Sequence, residues 1–145
     1  QSSTDSGYSS GGRSPTFRNT VDKFPFASDG NATDVGNLTD ARSMGAGQSS
    51  DASGYVSGGD SPGIVNTIDK FPFSSDSNAT DVGELTVGRY MIAGQSSDAS
   101  GYTSGGFDGG SNRDIIDKFP FASDSSATDV GDLTVTRRAH VGQQV

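Results

Sequence analysis

Apolar side chains along this chain come in short bursts separated by glycine, serine and aspartate, and the bursts recur. In the stretch Gln48 to Gly94, Ala46-Gly47-Gln48-Ser49-Ser50 reads as a strand of small residues, and Asp51-Ala52-Ser53-Gly54 reads as a turn. Gly54-Tyr55-Val56-Ser57 then reads as a returning strand stopped by Gly58-Gly59, so the two form a hairpin. Asn66 to Phe73 alternates in the period-two manner of a half-buried strand, with Ile68, Phe71 and Phe73 as its apolar positions. Pro72 cannot donate to a ladder and belongs at a strand end or bulge. After the polar turn Ser74 to Thr80, Val82 to Val87 reads as an edge strand whose Glu84 and Thr86 face water. No apolar 3.6-residue period survives, and the frequent glycine and serine disfavour helix. The expectation is all-β.

The same pattern is written three times. Gln1, Gln48 and Gln95 open copies at a spacing of 47, and Gln143 follows one repeat later. The expected units are therefore 1–47, 48–94 and 95–142, with 143–145 starting a further inner strand. A repeat of this length in a β pattern points to propeller blades or a stacked array. Small residues suit an inner strand near a crowded axis. The recurring pairs Phe24/Phe26, Phe71/Phe73 and Phe119/Phe121 are the expected filling between neighbouring sheets.

Composition changes this picture less than it first suggests. Leu, Ile, Val and Phe total only 26 of 145 residues, a fraction typical of disordered chains. Disorder does not require the same aromatic, glycine and arginine at the same places three times, whereas stacked modules with small shared cores do. The net charge of −8, without basic clusters, argues against nucleic acid and anionic membrane surfaces as partners. No apolar run approaches the roughly 20 residues of a helical membrane span. There is no cysteine, so neither disulfides nor thiolate metal sites contribute.

The chemistry-bearing residues are few. His140 is the only histidine, so no catalytic triad or histidine metal cluster can be assembled around it, and neither enzymatic activity nor a cofactor is expected. Asp29 to Asp34 and Asp76 to Asp81 gather oxygen ligands, but their spacing fits no EF-hand and reads as turns. Asn31, Asn37 and Asn78 head glycosylation sequons whose positions carry Ser126 and Asp132 in the third copy. Specificity is expected where the copies diverge, a pattern that relaxed surface loops also give. After the double glycines stand Arg13 to Arg18, Asp60 to Val65 and Phe107 to Arg113. Before the inner strands stand Ser43-Met44, Tyr90-Met91-Ile92 and Arg138-Ala139-His140. Arg13, Phe17, Arg18, Tyr90, Phe107, Arg113 and His140 are the candidate ligand-binding residues, and exposed rings at Phe17, Tyr90 and Phe107 would favour recognition.

The glycine pairs Gly11-Gly12, Gly58-Gly59 and Gly105-Gly106, each preceded by Tyr8, Tyr55 or Tyr102, resemble the glycine pair and aromatic of the kelch repeat. Asp22, Asp69 and Asp117 fall where that family has a Tyr-Asp pair, and Arg42, Arg89 and Arg137 at its repeat-ending arginine. The resemblance implies kelch-like β-propeller blades of four antiparallel strands. The chain has no tryptophan, so its outer-strand packing departs from the family's.

The longer phrase Ile-Asp-Lys-Phe-Pro-Phe, running on to Thr-Asp-Val-Gly-x-Leu-Thr, is similar to repetitive proteins of tailed bacteriophages. This implies a structural and recognition module of a virion tail fibre or appendage. The alternative is an extracellular carbohydrate- or protein-binding propeller, or the unit of an extracellular fibre. Expected partners are a glycan or host surface receptor and the chain itself. Three blades fall short of the usual four to eight, so closure calls for a homodimer of six blades, or for further repeats. In the dimer the C-terminal strand Gly142 to Val145 would enter or cap the other copy's first blade.

Overall fold

The computed structural model describes residues 1–142, and the expected inner strand at 143–145 lies outside them. Among the described residues the chain is all-β, in three antiparallel sheets. Sheet I holds β1 (Ser6–Ser10), β2 (Thr20–Pro25) and β3 (Thr33–Asn37). Sheet II holds β4 (Ala46–Ser49), β5 (Ser53–Ser61), β6 (Gly63–Pro72) and β7 (Thr80–Glu84). Sheet III holds β8 (Ala93–Ser96), β9 (Ser100–Ser104), β10 (Ile115–Pro120) and β11 (Thr128–Asp132). Each is a meander in which strands adjacent in sequence pair, the arrangement short turns allow.

Four expectations need correcting. The glycine pair does not stop the strand in the second copy: β5 bulges between Ser57 and Gly59, continues to Ser61, and pairs with β6 from Gly63 onward. Asp60 to Val65 is thus the tip of a hairpin, whereas β1 and β9 do end before their glycines. The outer strand of sheet II starts earlier than the apolar pattern indicates, at Thr80, and leaves Leu85 buried beyond its end. Thr86 is exposed as a residue, but its hydroxyl donates to Asp117 at 2.6 Å instead of to water. In sheet I the inner strand is reduced to a bridge between Ser2 and Gly7.

Alternation along the third strand of each repeat sorts its residues between two faces. Ile68 joins the core shared with sheet III, and Lys70 pairs with Asp124 there. Asp69 and Phe71 point the other way, into sheet I. The ladder is bulged between Ile68 and Asp69, opposite Gly83 and Asp81, and the same bulge recurs in the other two sheets. Each sheet therefore has a carboxylate face, carrying Asp and two Phe, and a tyrosine face, carrying Tyr and Lys. The glycine before each tyrosine seats the ring of the paired strand, since a Cβ on Gly54 would stand 2.3 Å from Phe71.

Two apolar cores result, each made where the tyrosine face of one sheet meets the carboxylate face of the next. Tyr8, Val21, Leu38, Val56, Phe71 and Ala79 fill the junction between sheets I and II. Tyr55, Ile68, Leu85, Ile92, Phe119 and Ala127 fill that between II and III. Tyr8 lies 5.4 Å from Phe71 and stacks on Phe73 at 4.8 Å, and Tyr55 repeats this with Phe119 and Phe121. In the first copy the expectation fails: Phe24 and Phe26 are 38% and 56% exposed, because none of the three described sheets covers that face.

Candidate functional site

Buried charge marks each junction. Arg42 reaches from the end of the first repeat to Asp69, Nη2 to Oδ2 2.9 Å, with both side chains essentially inaccessible. Arg89 and Asp117 repeat the pair at 2.9 Å. Each carboxylate is completed by the preceding repeat's threonine: Thr39 donates its N–H and hydroxyl to Asp69 at 2.9 and 2.7 Å, and Thr86 does the same for Asp117. Arg42 and Arg89 also donate to the carbonyls of Val56 and Thr103. Burial pushes both guanidinium pKa values down while the facing aspartates push them back up. The carboxylate of each pair is fully hydrogen-bonded, which offsets part of the cost of burying it, whereas Nε and Nη1 of Arg42 and Arg89 are buried without a hydrogen-bond partner.

Polar residues that resemble ligand sets in sequence are used in the same joints. Asp34, Asp81 and Asp129 accept from the backbone N–H of Gly36, Gly83 and Gly131 two residues on, as turn-forming aspartates do. Asn78 Oδ1 accepts from the backbone N–H of Asn37, and Ser126 Oγ takes the matching bond from Glu84, which is why serine serves at that sequon position. Among the described residues no group of three or more His, Asp or Glu side chains converges as a metal site.

The divergent segments are brought together across sheets. Ser43, leading out of the first repeat, exchanges backbone hydrogen bonds at 2.9 Å with Asp60 in the hairpin of the second. Tyr90 and Phe107 do the same between the second and third repeats, their rings edge to face at 5.8 Å. Arg138 lies over the Phe107 ring at 4.5 Å. Arg113 is ion-paired with Asp108, whose carboxyl is held down to about 2 by the N–H groups of Ser111 and Gly110 and by Arg113 itself. At the other end of the chain Arg13 lies 5.0 Å over Phe17 and Arg18 donates to the Ser14 carbonyl at 2.6 Å. Thus Tyr90, Phe107 and, through its loop, Arg113 belong to one patch, and Arg13, Phe17 and Arg18 form a separate group. Phe17, Tyr90 and Phe107 are half-buried instead of exposed, because each ring finds a neighbour in its own patch.

His140 sits at the position that Ile92 and Gly45 hold in the other repeats. Its Nε2 is 3.4 Å from Ser104 Oγ. Burial, with Arg137 nearby, lowers its pKa, so the neutral imidazole is favoured. A cation beside the ring is the opposite of the orienting acid in a Ser-His-Asp triad. In the first junction a cavity of about 230 Å³ is lined by Gln1, Ser10, Arg42, Ser43, Met44 and Gly45.

Sequence reading missed the junction chemistry, although parity held the clue: Asp69 lies two residues before Phe71 and so on the same face of the strand. Neither protein-family models nor the curated proteins include a match to this chain.

Proposed function

We propose that the chain is a structural and recognition module, a run of kelch-like propeller blades that presents divergent loops from a recurrent frame. The observation that carries this reading is the division of labour between residue classes. Recurrent Tyr, Phe, Asp, Thr and Arg are consumed in the joints between sheets, while the divergent segments meet in pairs at the surface, as Tyr90 meets Phe107. A frame that holds still while its loops vary is how recognition proteins are commonly organised. Aromatic rings beside arginine and aspartate suit stacking on sugar rings with hydrogen bonds to their hydroxyls, which makes a surface glycan the favoured ligand class. The likeness of the Asp-Lys-Phe-Pro-Phe phrase to tailed-phage proteins supports a tail fibre or appendage as the proposed setting of such a module. No catalytic role is assigned.

Glycan-array binding of the purified chain tests the recognition half. Binding that is lost in Tyr90→Ala and Phe107→Ala, with thermal stability kept, supports it; a chain that binds neither glycans nor host-surface proteins contradicts it. Mass spectrometry of purified phage particles tests the virion assignment separately.

A further inference from the structure

Among the described residues two unlike sheet faces are left open. Sheet I leaves its carboxylate face open, with Asp22 half-buried and Phe24 and Phe26 exposed. Sheet III leaves its tyrosine face open, with Tyr102 half-buried and Thr134, Val135 and Arg137 exposed. In both internal junctions the equivalents of these residues are partners: Arg42 and Thr39 hold Asp69, and Arg89 and Thr86 hold Asp117.

We propose that the tyrosine face of sheet III docks on the carboxylate face of sheet I in a second copy of this chain, making the same junction between molecules. Arg137 and Thr134 then take the second copy's Asp22, as their counterparts take Asp69 and Asp117. Tyr102, whose ring now lies 5.9 Å from Lys118 of its own sheet, receives Phe24 and Phe26. Lys118 reaches Asp29, the counterpart of Asp76 and Asp124, which pair with Lys23 and Lys70.

Close approach supports the same match. A Cβ on Gly36 or Gly83 would stand 2.4 or 2.6 Å from a carbonyl of the next sheet, that of Ser77 or Ser125. Gly131 occupies the equivalent position and a Cβ there meets nothing within 4 Å, as at Gly30, the counterpart of Ser77. A foreign partner has no reason to fit both ends. The two open faces are instead complementary halves of one joint, with opposite charges at matching positions and an aromatic pair facing a tyrosine. Each copy carries one of each half, so two copies related by a two-fold axis satisfy both. The contacts named above all come from residues outside the inner strands.

Sedimentation velocity of the full chain from micromolar to millimolar concentration, with charge-reversal variants, tests the junction. The wild type is expected to reach twice its 14.8 kDa mass. Asp22→Arg and Arg137→Asp, folded by circular dichroism, are each expected to weaken association at least about 30-fold, in line with the loss of one member of a buried charge pair. Mixed in equal amounts they are expected to associate again, since one native pair and one reversed pair become available. Phe26→Ser, at an exposed position, replaces either variant should it unfold. A wild type that remains monomeric throughout, single variants that associate as the wild type does, or a mixture that stays monomeric would overturn the proposal.

Discussion

Phe119 is 1% exposed and Phe24 38%, although both stand in the same Asp-Lys-Phe-Pro-Phe phrase, in strands of the same length, opposite the same Ser-Gly-Tyr. The same contrast separates Arg89, sealed against Asp117, from Arg137, which is exposed and donates to the Val135 carbonyl. Nothing within the repeat accounts for either difference. Phe119 has sheet II before it and Arg89 has sheet III after it, whereas Phe24 and Arg137 face outward. The recurrent residues are therefore directed at the neighbouring sheet, and a repeat cannot bury its own signature. That is the physical condition of stacked modules, in which stability is a sum of unit and interface contributions.

The contrast predicts unequal costs for equivalent substitutions in the monomer. The largest is expected at the buried ion pair. Arg89→Ala strands Asp117 and should cost about 3–5 kcal/mol in denaturant unfolding, while Arg137→Ala should stay within about 0.5 kcal/mol. Equal losses would show that arginine acts within its own repeat. Truncating the aromatics comes next: Phe119→Ala is expected to cost about 3–5 kcal/mol, and Phe24→Ala under about 1 kcal/mol, in the same melts.

The smallest effect is local and sharpens the contrast from the side of the loops. Asp108 is held at about 2, below the ordinary carboxylate value of about 4, by bonds within its own loop. Its contribution is fully present above about pH 4 and is lost as pH falls toward 2. The protection of the Gly110 and Ser111 amides, taken relative to the intrinsic exchange rate at each pH, should fall over that window. The junction protons should not follow the same titration, since Asp108 takes no part in either core.

Much of the frame is legible in the sequence because repetition reports it directly. The spacing of Gln1, Gln48 and Gln95, the hairpin of β4 and β5, and the strand carrying Phe71 all follow from turn residues and period-two alternation. The outer strand is misplaced because the apolar run Val82 to Val87 spans a bulge at Val82 and a buried Leu85 beyond the strand end. Periodicity cannot count through a bulge. Asp69 and Arg42 look like surface charges singly, and only the shared parity of Asp69 with the buried Phe71 betrays the pair. The loop patches are legible as divergent but not as paired, because Tyr90 and Phe107 belong to different repeats and meet only through a bridge between sheets.

A pair of double-mutant cycles asks most directly whether the recurrent residues act across junctions. One cycle takes Arg89 and Asp117 to alanine singly and together, and the other does the same for Arg137 and Asp22, both in dilute monomer. The account predicts a coupling of roughly 0.5–3 kcal/mol for the first pair and none for the second. No coupling between Arg89 and Asp117, or equal coupling in both cycles, would contradict it.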